Sequence, residues 1–338
     1  MIDRGAPSGS DQSARHLPRK ALVLTAGLGT RLRPLTYVRA KAAVPVNGET
    51  LARRAIRWLV SHGIRDLVLN LHHKPETIAA SVGDGGDLSA RVRYSWEYPV
   101  LGSAGGPRRA LPLLVDRSSD GDASFLIVNG DTLTDVDLAA MAARHRESGA
   151  AVTMALIPNP EPLKYGGVLI SDEWVKEFIR PGSGRVSYHF VGVQIVESRV
   201  FEDLEDGRPF ESVNALYPSL IAREPRSVAA FVSQASFRDI GTPADYLNTS
   251  VQLARVEGDR MVSGRNTRID PSARLQRSAV WDDVTIGADA ELVECVVGDG
   301  AVVPAGSRFR RCAIVPAAGR QPERGERVAG DLLISEID

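Results

Sequence analysis

Between Thr25 and Thr36 the chain reads TAGLGTRLRPLT, a glycine turn followed by Arg31 and Arg33, with Lys41 a little further on. Gly27 and Gly29 let the backbone turn tightly and bring its N–H groups against phosphate oxygens. The arginines and the lysine supply the positive charge that a polyphosphate needs. No Gly-Lys-Ser/Thr follows and GxGxxG does not fit, so this is neither a P-loop nor a dinucleotide fingerprint. Most glycine turns are structural; the apolar run before this one and the three cations after it favour a phosphate site. A second signal is FLIVNGDT at 125–132, where an apolar run ends in Asp131. A carboxylate beside a polyphosphate is repelled unless a divalent cation lies between them. Mg²⁺, which takes one or two protein carboxylates plus phosphate oxygens, resolves that conflict. A third signal is FRDIGTP at 237–243, where Asp239 serves either as a ligand or as a turn acid that helps cap a helix.

These residues need elements to hold them. Ala21–Thr25, Leu67–Leu71, Val92–Trp96 and Phe125–Asn129 read as buried strands. Helices are predicted between them: one through Leu51, Ala55, Trp58 and Leu59 that stops at Gly63, then Pro75–Val82 and Pro107–Leu114, with Asp137–Ser148 after the fourth strand. This alternation predicts a three-layer, Rossmann-like α/β domain with a mixed, mostly parallel sheet, in which ligands bind at the carboxyl ends of strands. Further strands are predicted over Ala151–Ile157, Gly167–Ile170, Val186–Val196 and Val228–Val232, some antiparallel. A helix opens at Thr242-Pro243-Ala244-Asp245 with a capping box. Beyond about residue 263, apolar positions recur every five or six residues, from Ile269 through Leu275, Val280, Ile286, Leu292, Val297 and Val303 to Phe309. That period predicts triangular coils stacked as a short left-handed β-helix, with Cys295 and Cys312 in or beside it as inert small hydrophobes.

Length and composition bound the possibilities. A chain of 338 residues, 43% apolar, has room for a large domain and a smaller companion: a flexible tail over 1–18, one domain over 19–258 and the coil over 263–338. Lys and Arg number 41 against 42 Asp and Glu, so binding to nucleic acid through bulk positive charge is excluded. Two cysteines exclude a disulfide scaffold and a thiolate-rich zinc site. No apolar run approaches the roughly 18 residues of a membrane span, and a cytoplasmic protein is expected.

AGLGTRLRPLT, Lys41, LGSAGG at 101–106, NGDT at 129–132, YGGV at 165–168 and FRDIGTP resemble, in the family's order, the nucleotidyltransferases that make nucleotide sugars. The resemblance covers roughly residues 20 to 255, a trailing hexapeptide coil is common in the family, and the overall pattern is most similar to mannose-1-phosphate guanylyltransferases and related hexose or heptose enzymes. It implies an NTP and a sugar 1-phosphate as partners, Mg²⁺ as cofactor, and release of pyrophosphate as the NDP-sugar forms. It further implies that Arg31 binds the leaving pyrophosphate and Lys41 the phosphate region, while Asp131 and Asp239 hold the metal. Ala26, Gly27, Gly29, Thr30, Gly102, Ser103 and Asn129 would contact the nucleotide. Tyr165, Gly167, Arg180 and Gly192 would contact the sugar phosphate.

The sequence departs from the family pattern in places. Thr25 stands for the usual Ala, and Ser103 for the commoner Thr with its hydroxyl kept. Ile179-Arg180-Pro181 stands for Glu-Lys-Pro, keeping the positive charge and losing the acid; HFVGVQ at 189–194 lacks the Asn before Gly192. Uridylyl or thymidylyl transfer is the alternative within the family. A nucleotide-sugar-sensing homologue without turnover is another, although such a protein is expected to lose Arg31, Lys41 or an aspartate, and all are present. An acyltransferase coil lacks a base, because no histidine follows His189. The coil is instead expected to serve homo-oligomerisation or allostery, so that its removal changes assembly more than chemistry.

Overall fold

The computed structural model describes residues 17–115 and 124–338; of the tail expected over 1–18, all but Leu17 and Pro18 lie outside them. Contacts gather the chain into two compact units. One takes the residues up to Ala26 with Arg53–His72 and Val82–Phe237; the other takes Gly27–Ala52, His73–Ser81 and Arg238–Asp338. The division follows no single cut in the chain.

In the first unit, nine strands form one sheet: β1 Lys20–Leu24, β2 Asp66–Leu71, β3 Arg91–Trp96, β4 Ser124–Asn129, β5 Val152–Pro158, β6 Gly167–Ser171, β7 Trp174–Ile179, β8 Tyr188–Glu197 and β9 Val228–Val232. Their order is β3-β2-β1-β4-β8-β5-β9-β7-β6. The first four run parallel. Strand β8 then reverses direction between β4 and β5, β9 lies parallel to β5, and β7 pairs antiparallel with β6 and β9. Strand β7 escaped the sequence reading because a register shift between Val175 and Glu177 breaks its alternation.

The longer helices are α1 Leu51–Ser61, α2 Pro75–Val82, α3 Gly102–Leu114, α4 Leu138–Ser148, α5 Tyr217–Arg223 and α6 Pro243–Glu257. Leu22, Val68, Phe125, Ile127 and Met154 pack with Ala110, Leu111 and Leu114 of α3 and with Tyr217 and Leu220 of α5 in one apolar core. The alternate strand residues Ala21, Val23, Leu67, Leu69 and Leu126 are also fully buried, so the sheet is covered on both faces as a three-layer domain. Helix α3 starts five residues before the Pro107 expected to open it, and Pro107 and Pro112 both lie inside it. The N–H groups of Ala104 and Gly105 donate to the Phe210 carbonyl, at 2.9 and 3.2 Å. A neighbouring loop thus satisfies the orphan donors of the first turn, and the proline does not set the start.

In the second unit, α6 carries the expected capping box: Thr242 Oγ1 accepts from the Asp245 N–H at 3.1 Å and Asp245 Oδ2 accepts from the Thr242 N–H at 3.0 Å. The coil is a three-sided parallel β-helix. Ile269, Ile286 and Val303 stack on one side, Leu275, Leu292 and Phe309 on the second, and Val280, Val297 and Ile314 on the third. Equivalent residues of successive turns are 17 apart, because the steps of six, five and six residues seen in the sequence make one turn. Corners take left-handed backbone at the same interval, as at Asn266, Asp283 and Gly300. Cys295 and Cys312 are both buried in this stack. An antiparallel pair, Glu326–Ala329 and Leu332–Glu336, closes the last turn.

The coil is also tied into its own unit. Val262 bridges to Val280, and Trp281 Nε1 donates to the Tyr246 hydroxyl of α6 at 2.9 Å. Deleting residues 263–338 would uncover Tyr246, which is 1% exposed.

Candidate active site

In the second unit the glycine turn is shaped by the residues C-terminal to it. Gly29 has a φ of +62°, and a Cβ there would sit 2.8 Å from Thr36 Cγ2 and 3.2 Å from Lys41 Cβ. Glycine is therefore needed both for the left-handed backbone and for the closeness of the Lys41 stem. Thr36 Oγ1 donates to the Gly29 carbonyl at 3.0 Å, closing the loop. Leu32 and Leu35 are buried while Gly27, Thr30 and Arg31 face solvent, so the apolar residues anchor the loop and its polar edge stays available. Lys41 Nζ lies 3.8 Å from Asp239 Oδ1, with both side chains 12% exposed. The absent Cβ of Gly241 marks where the rest converge. Asp239 Oδ2, Arg31 Nη1 and Asp245 Oδ2 lie 2.8, 3.1 and 3.2 Å from that position. Arg31, Lys41 and Asp239, drawn from opposite ends of the nucleotidyltransferase pattern, thus form one cluster of two cations and an acid. Asp245, read from the sequence as a cap alone, also borders it.

Arg33 does something else. Its Nη1 lies 2.7 Å from both carboxylate oxygens of Glu323, and its guanidinium lies over the Tyr37 ring, 5.2 Å from the centroid. Its charge is paired here with the end of the coil.

In the first unit the carboxyl ends of β1, β2 and β3 are joined by a buried polar chain. The Thr25 N–H donates to Asn70 Oδ1 at 2.6 Å, and the Thr25 hydroxyl donates to the Asn70 carbonyl. Asn70 Nδ2 donates to Glu97 Oε1 at 2.6 Å, and the Leu101 N–H donates to Glu97 Oε2 at 2.8 Å. Burial raises the Glu97 carboxyl above its ordinary range, against the opposing pull of the Leu101 N–H and the Asn70 amide. This chain fixes where α3 begins, with Gly102 and Ser103 in its first turn. Sequence reasoning missed it; the available signal was a lone Asn in the apolar run LVLNL and an acid between two aromatics in WEY.

Ser103 is placed otherwise than expected. Its Oγ donates to Glu211 Oε2 at 2.7 Å and accepts from the Ser212 N–H and Ser212 Oγ at 2.8 and 2.9 Å. A hydroxyl with its one hydrogen donated and two lone pairs filled has nothing left for a base. Asn129 ends β4 with its amide against the backbone of Gly192, whose φ is +79°; a Cβ there would lie 2.6 Å from Asn129 Nδ2. Those two expected residues are brought together. Asp131 follows Gly130, whose N–H donates to the Leu24 carbonyl at 2.9 Å, pinning the β4 end to the β1 end beside Ala26.

Of the expected sugar residues, Tyr165 sits among other rings in this unit. Tyr165, His189 and Phe237 make an aromatic trio, with ring centroids 4.5 Å (Tyr165–His189), 4.6 Å (His189–Phe237) and 5.6 Å (Tyr165–Phe237) apart. Gly167 pairs directly with Ile179, the residue before Arg180, across the β6–β7 hairpin. Burial holds the His189 imidazole below its ordinary pKa, a hydrogen bond to the Gly166 backbone opposing it. His189 was not among the candidates.

No group of three or more His, Cys, Asp or Glu side chains that could cage a metal occurs among the described residues. Mg²⁺ keeps waters and binds through one or two carboxylates and substrate phosphates, so it asks for fewer protein ligands than such a cage. Asp239, next to Lys41 and Arg31, has the donor chemistry for it.

The chain is 27% identical over 300 residues to a mannose-1-phosphate guanylyltransferase of Mycobacterium tuberculosis, covering 79% of this chain and 81% of that one. It is 25% identical over 336 residues to a UTP–glucose-1-phosphate uridylyltransferase of Synechocystis sp., covering 88% and 85%. Among solved structures, HddC from Yersinia pseudotuberculosis complexed with GMP-PN superposes with a TM-score of 0.58 at 22% identity over 70% of this chain and 99% of that one, a likeness of fold. The nucleotidyl transferase family profile matches residues 20–256, more than half of the chain, and this protein belongs to that family.

Proposed function

We propose that the protein transfers a guanylyl group from GTP to mannose 1-phosphate, or to a closely related hexose or heptose 1-phosphate, releasing pyrophosphate. The observation that carries the chemistry is the cluster of Arg31, Lys41 and Asp239 around Gly241. The choice of substrates is supported by the mannose-1-phosphate guanylyltransferase relative. A phosphate oxygen of the sugar 1-phosphate attacks the α-phosphorus in line. The new P–O bond forms as the bond to the bridging oxygen of the β-phosphate breaks, and pyrophosphate leaves. Little covalent work falls to the protein, which has to bring two anions together and hold them. Phosphate charges 4 Å apart repel by about 1 kcal/mol even in water, and by more in a closed site.

In this reading Arg31 holds the β- and γ-phosphates and stabilises the charge that grows on the leaving group, while Lys41 holds the region of the α-phosphate. The glycine turn presents its N–H groups to the same anion. Asp131 and Asp239 would hold Mg²⁺, which supplies charge neutralisation between the two substrates when bound. Base contacts come from backbone at Gly102, the Ser103 hydroxyl being engaged elsewhere. Tyr165, Gly167, Gly192 and Arg180 receive the sugar phosphate. A cytoplasmic location and assembly through the coil belong to the same proposal.

A uridylyl transfer to glucose 1-phosphate is the second reading, favoured by the Synechocystis relative. A matrix of GTP, UTP, dTTP and ATP against mannose, glucose, amino-sugar and heptose 1-phosphates, scored by pyrophosphate release, separates the two. The proposal expects the highest kcat/KM for GTP with a manno-configured sugar. UTP with glucose 1-phosphate at the top would replace it, and no release from any pair would refute the enzyme assignment.

A further inference from the structure

Arg39 stands two residues before Lys41 and is gripped by two carboxylates at once. Its Nε donates to Asp299 Oδ2 at 2.5 Å, and its Nη2 donates to Asp299 Oδ1 and Asp282 Oδ2, each at 2.8 Å. The guanidinium lies 5.6 Å from the centroid of the Trp281 ring. The side chain is 13% exposed. Its partners are themselves fixed. Asp282 and Asp299 occupy equivalent positions of successive turns of the coil, the Asp282 N–H donates to Asp299 Oδ1 at 3.1 Å, and Asp282 accepts from the N–H and guanidinium of Arg265. Trp281 donates to the Tyr246 hydroxyl, which donates to the Pro45 carbonyl at 2.7 Å on the far side of the same segment. A fork gripping two stacked carboxylates sets an orientation that a point charge does not.

The segment needs such a device. Lys41–Ala43 is a single 3-10 turn capped by Val44, and apart from that buried valine its buried residues are alanines: Ala40, Ala42 and Ala43 are at most 2% exposed. Methyl groups fill space without selecting a rotation of the turn about its axis. The Ala40 N–H, which donates to Thr77 Oγ1 at 3.0 Å, fixes one point of the segment, and the Arg39 fork fixes its direction. Rotating the turn swings Lys41 away from Asp239. We infer that Arg39 is a positioning residue for nucleotidyl transfer: clamped by Asp282 and Asp299 of the coil, it sets the rotation of the turn that presents Lys41 beside Asp239. The inference rests on the proposed function, and it makes the coil a part of the catalytic apparatus rather than an appendage.

The test uses the full chain as wild type, Arg39→Ala, Arg39→Lys, Asp299→Asn and, as a control that breaks a different coil contact, Arg33→Ala. Pyrophosphate release is measured with nucleotide varied, alongside nucleotide binding, thermal melting and hydrogen exchange of the amides over 39–44. Arg39→Ala is expected to lower kcat at least tenfold with nucleotide Kd changed less than threefold. Arg39→Lys should recover part of the loss, Asp299→Asn should lose about threefold or more, and Arg33→Ala should stay within twofold of wild type. A folded Arg39→Ala protein with wild-type kcat overturns the inference. Should Arg39→Ala fail to fold, Asp299→Asn decides, and wild-type kcat there overturns it equally. Should the wild-type protein release no pyrophosphate, the proposed function fails. Exchange then decides the clamp: faster exchange over 39–44 in Asp299→Asn supports it, and unchanged exchange overturns it.

Discussion

The two units hold their functional residues by different physics. In the first, the strand ends are joined by uncharged donors and one buried acid: the Thr25 N–H to Asn70, Asn70 to Glu97, the Leu101 N–H to Glu97, and Ser103 with Ser212 and Glu211 at the start of α3. In the second, the loop is held by full charges: Arg31 and Lys41 beside Asp239, Arg39 between Asp282 and Asp299, and Arg33 on Glu323. Buried neutral hydrogen bonds are short-ranged and directional, and a broken one leaves an unsatisfied group behind. Half-buried ion pairs have longer reach and can exchange partners with an incoming anion. In the proposed function, receiving a polyphosphate would draw on the second kind of bonding, and fixing a base and a sugar on the first.

That contrast can be pressed in order of expected effect. Arg31→Ala removes a cation from the anion-receiving cluster, and kcat for pyrophosphate release is expected to fall by about 10²- to 10³-fold. A drop of less than threefold would place Arg31 outside the reaction. Ser103→Ala leaves Glu211 and the Ser212 N–H without their shared partner. It is expected to cost about 1–3 kcal/mol of stability by denaturant unfolding, with kcat little changed; a nucleotide-specific loss of kcat with stability intact would return the hydroxyl to the base. His189→Phe probes the aromatic trio through pH. The imidazole is depressed in the folded protein from an ordinary value of 6.5, so the unfolded chain takes up the proton first. The stability it contributes is complete above about pH 6.5 and is lost as pH falls through the folded value. The phenylalanine variant is expected to show a flatter melting temperature against pH below 6.5, and parallel curves would remove His189 from that account. Arg33→Ala carries the smallest effect. The pair is exposed, at 37% and 57%, so less than about 1 kcal/mol and less than a twofold change in kcat are expected. A large loss would restore Arg33 to the phosphate site.

Much of this was legible in the sequence because local patterns settled it. The strand before the glycine turn, the capping box at Thr242 and Asp245, and the apolar steps from Ile269 to Phe309 all depend on neighbours in the chain, and all occur as read. What escaped depends on partners far away. Helix α3 starts at Gly102 because the Phe210 carbonyl receives its first N–H groups. Ser103 is engaged by residues more than a hundred positions on. Arg33 and Arg39 look alike beside Arg31 until the acids of the coil are in place, since a guanidinium's role is set by the carboxylate it meets. The candidate site residues come from a family pattern, while their division into a neutral and a charged framework required the fold.

The proposal's central claim is that Asp131 and Asp239 serve one Mg²⁺-dependent transfer. The most direct measurement is the Mg²⁺ dependence of pyrophosphate release from GTP and mannose 1-phosphate in wild type, Asp131→Asn and Asp239→Asn. The expected result is no release in EDTA, with both variants at least a hundredfold slower at saturating metal and each needing a higher Mg²⁺ concentration for half-maximal rate. Release that persists in EDTA, or either variant matching the wild-type metal dependence and rate, would contradict it.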